Sequence, residues 1–199
     1  MELFWSSTSP FARKVSMFLK CSGLEDQCDI TATTFESDDL RQQNPLGKIP
    51  ALSDDDINLF DSSLICEYLD DKAISQGKAS LYNKDMPGYY TRQLTHIRAN
   101  GILEAAVASV MELRRDTEKS EYWLGRWRTA IEQGLNGFEL SDLGDADNIH
   151  IGTITFVAAL GYLDFRLDDY NWRNINPALA NWYESIAQES WASSTIPKV

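Results

Sequence analysis

Glu2-Leu3-Phe4-Trp5, Ser6-Ser7-Thr8-Ser9, and then Pro10-Phe11-Ala12-Arg13-Lys14-Val15-Ser16-Met17-Phe18-Leu19-Lys20 form one opening run in three parts. The first part reads as a short strand. From Pro10 onward Phe11, Val15, Phe18 and Leu19 recur at helical spacing, and the pattern stops at Gly23 with Lys20 in the last turn, so a strand feeds directly into a helix. Proline in the first helical turn, directly behind a serine, fixes where that helix begins. The Ser9 hydroxyl then stands at the positive end of the helix dipole, where unpaired backbone N–H groups stabilise an anion such as a thiolate.

Cys28 to Thr34 alternates and is rich in β-branched residues, which predicts a second strand. A polar stretch with room for a short helix follows it, ending at Asn44-Pro45. Pro50-Ala51-Leu52 and Ile57-Asn58-Leu59-Phe60 flank the acidic turn Ser53-Asp54-Asp55-Asp56, the pattern of an antiparallel hairpin. Ser62 is expected to cap a helix carrying Leu64, Ile65, Tyr68 and Leu69. From Ala73 to Asp85 small and polar residues break the pattern, and beyond them only helical periodicity remains. The expected organisation is a first domain over residues 1–75, a linker over 76–85 and an all-helical domain over 86–199. In the last, Leu94, Ile97, Ile102, Leu103, Val107, Val110 and Met111 space out a long helix from Tyr89 to about Arg114. A second helix is predicted from Glu121 to Leu140. Asn148 opens a third, apolar nearly all round from Ile149 to Leu167, and Pro177 starts one with Leu179, Trp182, Tyr183 and Ile186 on one face.

Composition narrows the chemistry. The 199 residues are 43% hydrophobic and carry a net charge of −12. That balance repels phosphate backbones and anionic lipid surfaces, so neither nucleic acid nor membrane is expected as a partner. Three cysteines without a CxxC pair fit reduced thiols and a cytoplasmic setting. Neither a signal peptide nor a membrane-length apolar run is read along the chain. His96 and His150 form no HxxxH or HExxH pattern, so no metal is expected. The tryptophans, mainly in the helical half, read as packing.

A strand-helix-strand unit, a hairpin and a closing helix, with an X-Pro step before the hairpin, form the thioredoxin-like arrangement. With an all-helical domain behind it the chain resembles the glutathione S-transferase family. The resemblance rests on Trp5 to Val15, on Asn44-Pro45-Leu46-Gly47-Lys48-Ile49-Pro50-Ala51-Leu52, on Phe60-Asp61-Ser62 leading to Ile65 and Tyr68-Leu69-Asp70, and on Gly161-Tyr162-Leu163-Asp164-Phe165-Arg166 with Pro177, Trp182 and Thr195-Ile196-Pro197. It implies an α/β thioredoxin-like N-terminal domain joined to an all-α C-terminal bundle. It also implies a cytoplasmic, homodimeric detoxification enzyme that joins the glutathione thiolate to a hydrophobic electrophile, with glutathione as co-substrate and no metal. Ser9 is the catalytic candidate, standing where related glutaredoxins carry the redox cysteine, with Thr8, Ser7 and Ser6 as neighbouring rivals. The resemblance places a cis bond before Pro50, so that Ile49 offers its N–H and C=O to the cysteinyl unit. It assigns Lys48 to the glycyl carboxylate or the backbone nearby, Asp61 to the ammonium, and Ser62 to the γ-glutamyl carboxylate. The electrophile is expected between the domains, near the Tyr89-to-Asn100 side of the long helix and the Phe11 loop.

Two departures accompany the resemblance. Where relatives cap the core helix with Ser or Thr followed three residues later by Asp, this chain has Asn148 and Ile151, and Gln188-Glu189-Ser190 replaces a common Arg-Pro-Ser. Two other functions stay open: a non-catalytic transferase-like protein that acts through a protein partner, as the stringent starvation protein does, and a glutathione-dependent thiol or peroxide reductase.

Overall fold

The computed structural model describes residues 1–198. The chain divides into two compact units, Met1–Tyr89 with the last residues from Ser193, and Tyr90–Ala192.

In the first unit β1 (Glu2–Trp5), α1 (Pro10–Cys21), β2 (Asp29–Ala32), α2 (Asp38–Gln43), β3 (Ala51–Asp54), β4 (Ile57–Phe60) and α3 (Ser62–Ser75) follow in chain order. The four strands lie in the order β2-β1-β3-β4, with β2 parallel to β1, β3 antiparallel to β1, and β4 antiparallel to β3. A parallel pair needs a crossover, and α1 supplies it. Leu3 and Leu52 from the sheet, Val15 and Phe18 from α1, and Ile65 and Leu69 from α3 are all fully buried. Gly23, at φ +67°, lets Leu24 N–H reach the Leu19 carbonyl at 2.9 Å and closes α1 where the pattern stopped. This is the α/β thioredoxin-like arrangement expected above.

The first unit runs beyond residue 75 and takes back the chain's end, so its limits differ from the expected 1–75. Buried Asp70 accepts hydrogen bonds from Leu81 N–H at 2.6 Å and Ser80 Oγ at 2.7 Å. Tyr82 Oη donates to the Ser63 carbonyl at 3.0 Å. A carboxylate sealed from water holds whatever satisfies it, so the expected linker packs as a strap onto α3. Arg13 Nε donates to Thr195 Oγ1 at 3.3 Å, tying the chain's end to α1.

The second unit holds α4 (Tyr89–Leu113, its first residue in the first unit), α5 (Glu121–Gly134), α6 (Ile151–Arg166), α7 (Trp172–Ile175), α8 (Pro177–Ile186) and α9 (Ser190–Ser193). Among the described residues no strand lies beyond Phe60. α5 ends at Gly134 rather than Leu140, and the chain turns at Gly137 with φ +73°. Every residue of α6 from Ile151 to Leu163 is buried.

The cap of α6 differs from the Asn148 and Ile151 expected. His150 is the N-cap, its Nδ1 accepting from Gly152 N–H at 3.0 Å, and Thr153 Oγ1 accepts from His150 N–H at 3.1 Å. The reciprocal box is present in another chemistry. α9 forms despite the altered Gln188-Glu189-Ser190. In α4 the expected core positions Leu94 and Ile97 face outward at 65% and 62% exposure, whereas Thr95, His96, Ala99, Ile102, Leu103, Ala106 and Val110 are buried. His96 is accommodated because its Nδ1 hydrogen-bonds Thr155 Oγ1 at 2.8 Å.

Candidate functional site

Strand register gathers the sequence-predicted residues of the first unit. Phe4 pairs with Ala51 and Ala51 with Phe60. The end of β1, the start of β3 and the end of β4 therefore lie side by side. Whatever follows β1, precedes β3 or follows β4 emerges at one end of the sheet. Those segments are Ser6 to Ser9, Lys48-Ile49-Pro50, and Asp61-Ser62.

Ser9 is the N-cap of α1, with extended backbone, and Pro10 is the first helical residue. Its Oγ accepts from Ala12 N–H at 3.2 Å and donates to the Ile49 carbonyl at 3.4 Å. The first bond polarises the hydroxyl. The second is long, so a better acceptor can take the proton. Thr8 Oγ1 instead shares a 3.3 Å bond with Ser6 Oγ. Phe4, Ala12, Leu40, Ile49 and Ala51 form a buried apolar cluster with Trp5 against it, which packs the end of β1, the start of α1 and the start of β3 together.

The Ile49-Pro50 bond is cis, as expected. Lys48 is exposed, while its backbone carbonyl accepts from Asn44 Nδ2 at 2.8 Å. At the third segment the N-cap of α3 is Asp61, not Ser62, and Asp61 Oδ1 accepts from Ser63 N–H at 2.8 Å. Asp61 sits at φ +70° and ψ 122°, outside the left-handed helical well, so its backbone is strained. Ser62 becomes the first helical residue, 5% exposed, and its hydroxyl makes no hydrogen bond among the described residues. Lys14, fully buried in α1, donates to Ser63 Oγ at 3.3 Å and ties the starts of α1 and α3 together.

The structure thus brings Ser9, Ile49, Pro50, Asp61 and Ser62 to one sheet end, with Lys48 on the adjoining loop. Sequence reading had missed Asn44 and Lys14 as parts of this framework. Asn44 was legible only as turn chemistry before Pro45, and Lys14 only as a helix position. Each of the three thiols is held above its ordinary range mainly by burial, Cys28 to about 11 and Cys21 and Cys66 to about 12. None of them belongs to the turn from Ser6 to Ser9.

Residues 8–72 match the family model for the glutathione S-transferase N-terminal domain. The chain is 32% identical to the GST-like protein YibF of Escherichia coli K12 over the whole of both chains. It belongs to the glutathione S-transferase family. A glutathione transferase family member from Pseudomonas fluorescens Pf-5, solved with bound glutathione, is 34% identical and has a TM-score of 0.92 over 100% of this chain and 99% of that one. A shorter likeness joins this family member to a stringent starvation protein A homologue of Pasteurella multocida, 35% identical over 72 residues, 36% of this chain and 34% of the relative.

Proposed function

We propose that this protein is a glutathione transferase of the serine type, conjugating the glutathione thiolate to a hydrophobic electrophile. The observation that carries the reading is the Ser9 hydroxyl, pinned as helix cap by Ala12 N–H and holding its proton on a long bond to the Ile49 carbonyl. When the thiol of bound glutathione loses its proton to water, Ser9 Oγ–H turns from Ile49 to the sulfur. The α1 N-terminus supports the negative charge. The sulfur lone pair then forms the bond to the electrophilic carbon, and the leaving group departs with its own bonding pair. Lys48 meets the glycyl carboxylate, and the Ile49 N–H and C=O beside Pro50 meet the cysteinyl unit as an added strand. Asp61 pairs with the ammonium, and the Ser62 hydroxyl meets the γ-glutamyl carboxylate.

A thiol or peroxide reductase is disfavoured because Ser9 stands where exchange chemistry needs a cysteine, and the chain's own thiols, half-buried at Cys21 and Cys28 and buried at Cys66, are poorly ionised. Its unpaired thiols fit a reducing cytosol. No helix among the described residues is long and apolar enough to cross a membrane. A homodimer is supported by Tyr90, Leu94 and Ile97, spaced along one face of α4 and 80%, 65% and 62% exposed. Leu94→Glu is expected to give a monomer by analytical ultracentrifugation.

The decisive experiment is retention on immobilised glutathione followed by turnover of a generic aryl halide. Binding with turnover supports the transferase. Binding without turnover of any electrophile favours the partner-binding role that the likeness to the stringent starvation protein homologue raises.

A further inference from the structure

We infer that Asn44 is a positioning residue for the carboxylate-binding lysine of this site, an inference that rests on the glutathione reading above. Asn44 is 1% exposed, so it is sealed from any ligand. Its polar groups are nevertheless spent on one short turn. Oδ1 accepts from Leu46 N–H at 3.0 Å and Nδ2 donates to the Lys48 carbonyl at 2.8 Å. Its backbone carbonyl accepts from Gly47 N–H at 2.9 Å, and its N–H donates to the Leu40 carbonyl at 2.8 Å. Gly47 turns at φ +61° between them.

The segment from Asn44 to Lys48 is therefore hung from one buried side chain, while Leu46 and Lys48 are exposed above it. A surface lysine ordinarily gives little to binding, because holding its long stem in one direction costs conformational entropy. Fixing the Lys48 carbonyl fixes the backbone torsion from which the stem departs. The Asn44 amide thus pre-orients the ammonium, and its contribution belongs to whichever ligand group that ammonium meets. In glutathione that group is the glycyl carboxylate.

The carboxamide has two separable ends, and this makes the idea testable. Asn44→Asp keeps an oxygen for Leu46 N–H and sets an acceptor against the Lys48 carbonyl, so the turn survives and the tie breaks. Asn44→Ser keeps a hydroxyl for Leu46 N–H and is too short to reach Lys48. Affinities are measured by calorimetry for glutathione and for its glycyl ethyl ester, which loses the charge at that end and carries an ethyl group in its place, with Tm recorded alongside. The unmodified chain is expected to prefer glutathione about tenfold, the scale of a charge-assisted hydrogen bond. In both variants the preference falls to within about twofold, through weaker glutathione binding with ester binding retained.

Equal weakening of both ligands, or an unchanged preference, overturns the inference. If Asn44→Asp does not fold, the Asn44→Ser chain decides by the same ratio. Should the unmodified chain bind neither ligand, the glutathione reading itself fails. Binding of both without preference leaves that reading intact and overturns the role given to Asn44.

Discussion

The starts of α3 and α6 are both capped helix termini, yet they spend their polar groups in opposite ways. At α6 the cap is sealed. His150 Nδ1 takes Gly152 N–H, Thr153 Oγ1 takes His150 N–H, and the same hydroxyl donates to the Leu143 carbonyl at 2.6 Å. At α3 only Asp61 is spent on the cap, at a positive φ, and the Ser62 hydroxyl makes no bond among the described residues. A terminus that satisfies itself contributes to folding. One that leaves a polar group unspent beside a strained residue keeps that group for another partner, which is the place the proposal above gives to glutathione.

The sharpest way to break this comparison is Thr153→Val, which orphans His150 N–H and the Leu143 carbonyl in a buried place. It is expected to lower unfolding stability by about 3 kcal/mol in denaturant titration while the folded fraction binds glutathione as before. A loss of affinity in the folded fraction would show that the α6 cap also serves the ligand. Ser9→Ala stands on the other side of the contrast. It should reduce kcat/KM with an aryl halide by about a hundredfold and glutathione affinity by less than about threefold. Equal losses would refute the thiolate role.

His150 sharpens the contrast through pH. Burial, with the Arg92 guanidinium adding to it, lowers its pKa from 6.5 to about 4. The unfolded chain therefore binds this proton more readily than the folded one. The cap's contribution is complete above about pH 6.5 and is lost as pH falls toward 4, with a limiting slope of about 1.4 kcal/mol per pH unit. Chemical denaturation from pH 7 to 4.5 should show that slope, and His150→Asn, which caps without titrating, should flatten it. An identical slope in both proteins would remove His150 from the account. The smallest effect is expected at α3. Asp61→Asn keeps the cap and nearly the same side-chain shape but removes the charge, and should weaken glutathione binding about fivefold with little change in Tm. Unchanged affinity would leave Asp61 a cap and nothing more.

What was legible in the sequence was what neighbours along the chain decide. Ser9-Pro10 marked the start of α1, Gly23 its end, and the acidic stretch Ser53-Asp54-Asp55-Asp56 marked the hairpin, although Ser53 and Asp54 belong to β3 and the turn narrows to Asp55-Asp56. The family motif carried the cis Pro50. The misreadings share a cause, because each depends on a backbone conformation, an acceptor or a packing choice that residue spacing does not report. Asp61 displaces Ser62 as cap through a backbone conformation that no spacing rule reports. The α6 box hides because a histidine ring nitrogen accepts, and because Thr153 is fixed by Leu143, ten residues back. Leu94 and Ile97 share a helical period with core residues, and only packing shows which of two apolar stripes is covered.

By itself, then, the order of residues determined the strand-helix-strand-hairpin-helix succession and the short list of polar residues for the site, since propensity, capping and turn chemistry act over a few residues. Tertiary structure decided that three of those segments meet at one sheet end, that a buried carboxylate binds residues 80 and 81 to the first unit, and that the Asn44 amide reaches the Lys48 carbonyl. Those outcomes depend on strand register and on satisfying polar groups removed from water, and both are settled only when distant parts of the chain pack together.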